Sequence, residues 1–195
     1  MSGITSPLDV IHPSNMLTYA SLAAGLAAIG AALDGTTAGA GALIATAVLC
    51  DTFDGQFARL FTRSAAQRQV GVQLDSLSDA IAFGAAPVVC AWLTSGPAFA
   101  SSLLYAACAI TRLAFYNVTT EKRDGFVGLP VPVAALLWAT VTAFPITSSV
   151  TTVLLAATGV AMILPLPIPR PRGVALALFA CWPLMVGTTH LLRIL

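Results

Sequence analysis

The sequence predicts an all-α fold, a polytopic integral membrane bundle of about seven transmembrane helices (six to eight) with a cytosolic N-terminus. Three observations carry that prediction. First, 57% of the 195 residues are hydrophobic and only 9% are charged. With a mean hydropathy of +0.88, this is the composition of a lipid-embedded chain. Second, apolar stretches recur along the whole length, separated by short Gly, Pro, Asp and Ser clusters. Third, Lys and Arg gather in alternate loops. The net charge of +1 argues against a nucleic-acid partner. Cys50, Cys90, Cys108 and Cys181 lie in apolar runs without metal or redox spacing, and read as small core residues. No basic region followed by a cleavage site opens the chain, so no signal peptide is expected.

Residues 1–14 read as a cytosolic N-terminal segment. Ile4, Leu8, Val10 and Ile11 there suit either an interfacial helix or a frayed tail. Residues 15–195 read as one membrane domain, without a long internal repeat. The spans fall near 15–34, 38–62, 71–95, 98–119, 129–147, 149–166 and 173–194. Their punctuation is DGTT at 34–37, Gly96-Pro97, the loop 120–128, the stretch from Pro145 to Ser149, and PIPRPR at 167–172. Ala and Gly are frequent within several spans, which favours close packing in lipid. Arg63 and Arg68 follow the second span, Lys122 and Arg123 the fourth, and Arg170 and Arg172 the sixth. The loops near 35, 96 and 148 carry no Lys or Arg. The positive-inside rule then puts the basic loops and the N-terminus in the cytosol. Arg193 at the far end is a minor violation. Trp92, Trp138 and Trp182 read as core or interface anchors, and His12 and His190 as interfacial residues.

The stretch from Asp51 to Asp79 breaks the hydrocarbon pattern. Asp51, Asp54, Gly55 and Ala58 fall at i, i+3, i+4 and i+7, one stripe of a helix. Gly71, Asp75 and Asp79 fall at i, i+4 and i+8, one stripe of the next. A basic link at about 62–70 makes the two helices antiparallel. At ~1.5 Å per residue, Asp54 lies ~12 Å back from residue 62 and Asp79 ~12 Å beyond Gly71. Four carboxylates therefore meet at similar depth, and each costs several kcal/mol there without a counter-charge. Hard divalent cations resolve the conflict. Oxygen ligands suit Mg²⁺ or Mn²⁺, and two ions ~3.5–4 Å apart need bridging carboxylates. Gly55, Ala58 and Gly71 leave the backbone open to a flat or phosphorylated ligand.

The pattern D-x-x-D-G-x-x-A-R, then G-x-x-x-D-x-x-x-D, resembles that of the CDP-alcohol phosphatidyltransferases. It stands here as Asp51, Asp54, Gly55, Ala58, Arg59, Gly71, Asp75 and Asp79. The link is longer than the family's usual eight residues, with eleven at 60–70. The resemblance implies transfer of a phosphatidyl group from a CDP-linked lipid to an alcohol, with release of CMP. It implies two metals held by Asp51, Asp54, Asp75 and Asp79, with Asp51 and Asp75 bridging. Asp79 is then the general base for the incoming hydroxyl. Gly55, Ala58 and Gly71 pack against the cytidine and its phosphates, and Arg59 holds a phosphate or an Asp. Asn15 and Thr18, in P-S-N-M-L-T, resemble the family's P-N-x-L-T, which sits near the nucleotide. Helix capping by Ser14 or Asn15 is the plainer reading. Family members are commonly homodimers, so one is expected here.

Three further runs resemble the phosphatidylserine synthase branch of that family: D-S-L-S-D-A-I-A-F-G-A-A-P from Asp75 to Pro87, Arg112-L-A-F-Y-Asn117, and F-V-G-L-P-V-P at 126–132. Phe115 stands where the branch usually has a second Arg. The resemblance implies CDP-diacylglycerol as donor and serine as acceptor, with Arg112 and Asn117 contacting the acceptor. It leaves inositol phosphate, glycerol phosphate or choline as alternative acceptors. For Arg112 the plainer reading is snorkelling or an interaction with the helix dipole. A cation-coupled transporter is the rival of another class, and an inactive structural paralogue is a second. One helix pair holding all four acids, without an inverted repeat, argues against both.

Overall fold

The computed structural model describes residues 6–119, 125–169 and 171–195. Ile4, Lys122, Arg123 and Arg170 lie outside the described residues. Among the described residues seven helices make the bundle: α1 (Met16–Leu33), α2 (Thr37–Ala58), α3 (Ala65–Thr94), α4 (Phe99–Thr119), α5 (Val131–Val141), α6 (Ser148–Ile163) and α7 (Val174–Leu191). The chain is an all-α polytopic membrane protein. The segment with Pro13–Leu33, α3, α4 and α7 are long and apolar enough to cross a bilayer, while α5 and α6 are apolar but shorter. Helix α2 has 22 residues, with Asp51 and Asp54 in its last turns.

α2 is central, packing against α1, α5 and α7, while α4 packs against α6. The core between them is built largely from Ala24, Ala28, Ala40, Ala45, Ala47 and Ala139, with Ile44, Tyr105, Leu136 and Trp138 filling the wider gaps. Small residues bring backbones close where lipid supplies no hydrophobic drive between helices.

Four local readings change. Helix α3 begins at Ala65 rather than near 71. The Ser64 hydroxyl accepts from Gln67 N–H at 3.1 Å, and the Gln67 side chain accepts from Ser64 N–H at 3.0 Å. This capping box starts the helix early and draws part of the long link into its first turns. Before α1, short 3₁₀ turns at Pro7–Val10 and Pro13–Asn15 replace an interfacial helix. His190 turns inward rather than to the bundle surface. It is fully buried against Gly41, its Nε2 2.8 Å from the Ala139 carbonyl oxygen. Finally, two short strands appear among the helices. β1 (Phe126–Val127) pairs antiparallel with β2 (Pro167–Ile168), Phe126 opposite Ile168.

Candidate active site

The last turns of α2 and the middle of α3 carry the acids. Asp51, Asp54 and Asp75 each offer a carboxylate oxygen, and these oxygens lie within 4.8 Å of one another. Asp79 sits one turn further along α3, is buried, and lines the same cavity. The cavity holds about 890 Å³. Carboxylates this close repel one another strongly where water is scarce, and an all-oxygen donor set of this charge fits hard divalent cations.

The nucleotide-side residues divide into two groups. Gly55 and Arg59 line the cavity, and a side-chain carbon at Gly55 would meet nothing within 4 Å. Asn15, Thr18, Ala58 and Gly71 are not among the lining residues. Two of them, Thr18 and Asn15, buttress the acid-bearing helices instead. Thr18 Oγ1 donates to Asp54 Oδ2 at 3.2 Å. Asn15 does not cap α1; its side chain is buried, accepts from Ser14 Oγ at 3.2 Å, and flanks Gly71. A Cβ on Gly71 would lie 3.3 Å from Asn15 Oδ1.

Arg112 neither snorkels nor reaches a helix end. It is 7% exposed and lines the cavity, its guanidinium 4.5 Å above the Tyr116 ring and 5.8 Å from that of Phe126. Among the described residues its Nε and Nη2 have no hydrogen-bond partner. These two groups form one edge of the guanidinium fork, the edge that takes two oxygens of a planar anion. Asn117, by contrast, does not reach the cavity. It accepts from Ser76 Oγ at 2.8 Å and donates to Gln73 Oε1 at 3.3 Å, tying α4 to α3.

The far wall was not legible in advance. Phe126, Leu129 and Pro130 come from the loop after α4, Ile168 and Pro169 from β2 and its exit, and Ala175, Phe179 and Trp182 from α7. Trp182, read above as an anchor, donates from Nε1 to Thr140 Oγ1 at 3.0 Å and turns its ring to the cavity. A usable signal existed: Ala175, Phe179 and Trp182 fall at i, i+4 and i+7. Tyr116 fastens the first part of this wall, its hydroxyl engaging both the N–H and the carbonyl of Val127. Gly128 follows with φ +73, and a Cβ there would collide with the Met162 carbonyl oxygen. Glycine is thus the residue that lets the loop lie against the end of α6.

Residues 11–185 match the sequence profile of the CDP-alcohol phosphatidyltransferases. Over 137 residues, 65% of this chain, it is 37% identical to the CDP-diacylglycerol–serine O-phosphatidyltransferase of Mycobacterium leprae and 39% identical to that of Mycobacterium tuberculosis. Those matches cover 44% and 46% of the relatives' own lengths. An archaetidylserine synthase of Methanothermobacter thermautotrophicus is 34% identical over 132 residues, 63% of this chain and 54% of the relative. The chain thus spans about half the length of the curated relatives it matches. A profile matched over most of the chain, on the helix pair that brings the acids together, makes this chain a member of the CDP-alcohol phosphatidyltransferase family.

Proposed function

We propose that the chain transfers a phosphatidyl group from CDP-diacylglycerol to L-serine, giving phosphatidylserine and CMP. The observation that carries this reading is one cavity with three kinds of surface: clustered carboxylates, a buried guanidinium edge without a partner among the described residues, and an apolar wall. These suit a metal-bound pyrophosphate, an acceptor carboxylate and a lipid. The names of the relatives point the same way.

Asp51, Asp54, Asp75 and Asp79 would hold two divalent ions, Mg²⁺ or Mn²⁺. When bound, the ions neutralise the pyrophosphate and the charge on departing CMP. Thr18 orients Asp54 through its hydroxyl. Arg59 reaches a donor phosphate, and Gly55 leaves room for the nucleotide beside α2. Arg112 binds the serine carboxylate across its Nε–Nη2 edge and so aims the serine hydroxyl at the phosphorus. Asp79 takes the hydroxyl proton as the new O–P bond forms and the bond from phosphorus to the CMP oxygen breaks. The acyl chains lie against Phe179, Trp182 and the loop prolines and leave sideways into the bilayer. The basic link at Arg63 and Arg68 favours a site that opens to the cytosol, and the family resemblance favours a homodimer.

The test is CMP release by detergent-purified protein supplied with CDP-diacylglycerol and Mg²⁺ or Mn²⁺. Serine, inositol phosphate, glycerol phosphate, choline and no acceptor are compared. Release that requires serine and stops with EDTA supports the reading. Release with another acceptor keeps the chemistry and reassigns α4. No release with any acceptor overturns it.

A further inference from the structure

Helix α3 changes its winding just past Asp79. Residues Ala80–Ala85 form a π turn, and the Ala86 N–H reaches back to the carbonyl of Ile81. The sequence supplies a cause. In an α-helix the Phe83 carbonyl would accept from the N–H of residue 87, which is proline and has none. The Tyr105 hydroxyl of α4 donates to that carbonyl instead, at 2.9 Å. Tyr105 and Pro87 are both fully buried.

The π turn sets a register. It carries one residue more than the α turn it replaces, and each residue advances an α-helix by ~100°. Ser78 and Cys90 bracket it, and both face α1. Ser78 Oγ donates to the Thr18 carbonyl at 3.1 Å, and Cys90 Sγ lies 3.4 Å from that of Ala28. In an unbroken α-helix two residues twelve apart point ~120° away from each other. With one residue absorbed in the π turn the difference falls to ~20°. Within the turn, Ala82 meets α1 at Gly25, where a Cβ would lie 2.6 Å from the Ala82 Cα. Helix α3 therefore keeps one face on α1 along its length. Asp75 and Asp79 lie beside that face and stay turned toward Asp51 and Asp54.

We propose that Tyr105 is a positioning residue for Asp79: by holding the π turn through the Phe83 carbonyl, it sets the register in which the carboxylates of α3 meet those of α2. The inference rests on the catalytic reading of Asp79 given above.

The experiment compares Y105F, P87A, the double variant and D75N in the full chain in detergent. It reads kcat, both KM values, the Mg²⁺ concentration for half-maximal rate, and the thermal shift that Mg²⁺ induces without substrate. Y105F keeps the ring and removes only the hydroxyl. P87A offers an N–H to the Phe83 carbonyl in α-helical register. Y105F is expected to lower kcat about tenfold, within the range that small misplacements produce. It also raises the Mg²⁺ midpoint severalfold, shrinks the Mg²⁺-induced thermal shift, and leaves the donor KM within about twofold. The double variant regains thermal stability yet loses more kcat, because its carbonyl is paired in the wrong register. A double variant whose kcat recovers along with its stability overturns the inference, since the hydroxyl then only satisfies a carbonyl. So does Y105F with wild-type kcat and Mg²⁺ midpoint while D75N is inactive. If Y105F does not fold, P87A, which keeps Tyr105, decides through the same kcat and Mg²⁺ comparison. Turnover by D75N at the wild-type rate sinks the catalytic reading itself.

Discussion

The two sides of the cavity obey different rules. On the α2–α3 side, four carboxylates sit at fixed helical intervals; Thr18 and Asn15 reach across from the start of α1, and Ser78 of α3 donates back to the Thr18 carbonyl, holding that side in place. On the opposite side, the strand pair and α7 present Ile168, Pro169, Phe179 and Trp182, which share only volume and apolarity. Binding charge demands particular atoms at particular distances. Binding hydrocarbon demands area, and many side chains supply it. The first side should therefore fail abruptly on substitution and the second gradually.

The largest effect is expected on the acidic side. D75N removes one carboxylate from the cluster of three, and CMP release should fall by on the order of 10³-fold or more. D79N should abolish turnover equally while CDP-diacylglycerol binding, read by equilibrium titration, stays close to wild type. Partial activity in D79N would remove this residue as the base and narrow the contrast between the two sides. R112A comes next. It deletes a charge-assisted two-point contact, so the serine KM should rise roughly 10–100-fold with little change in the donor KM; equal rises in both would make Arg112 structural. On the apolar wall, W182A or F179A should raise the donor KM only a few-fold. A loss as deep as that of D75N would show the wall to be as exacting as the acids. Smallest is N117A, which removes two exposed side-chain contacts and should shift stability within about 0.5 kcal/mol, with both KM values unchanged. A selective rise in the serine KM would restore Asn117 to the acceptor site.

How much could be read in advance follows the same division. The stripes of Asp51 with Asp54 and of Gly71, Asp75 and Asp79 were legible because a helix converts spacing into direction without further information. The apolar runs were legible because Gly, Pro, Asp and Ser clusters punctuate them; their lengths were less so, since α5 and α6 fall short of a full bilayer span. The early start of α3 rests on the Ser64–Gln67 capping box, a short-range signal that the charges of the link mask. β1 and β2 have two residues each, too few to show an alternating pattern. Trp182 and Phe179 looked like any membrane aromatics, since which helix face meets a cavity depends on neighbours far along the chain. The π turn was foreshadowed only by Pro87, and a proline within a helix does not say how the chain will absorb it.

The strand pair has a mechanical consequence. Phe126 and Val127 are stitched to Ile168 and Pro167, Gly128 N–H donates to the Leu166 carbonyl at 2.8 Å, and Leu129 N–H to the Ala161 carbonyl at 2.8 Å. The chain from 128 to 166, with α5 and α6, is thus a loop drawn shut at its neck. The knot lies shortly before α7, the helix that carries Phe179 and Trp182 to the cavity. Parting the two loops would break these backbone hydrogen bonds, and moving α7 would break the Trp182–Thr140 and His190–Ala139 contacts. The apolar wall is in this sense a braced frame, sewn at the loop and pinned again along α7.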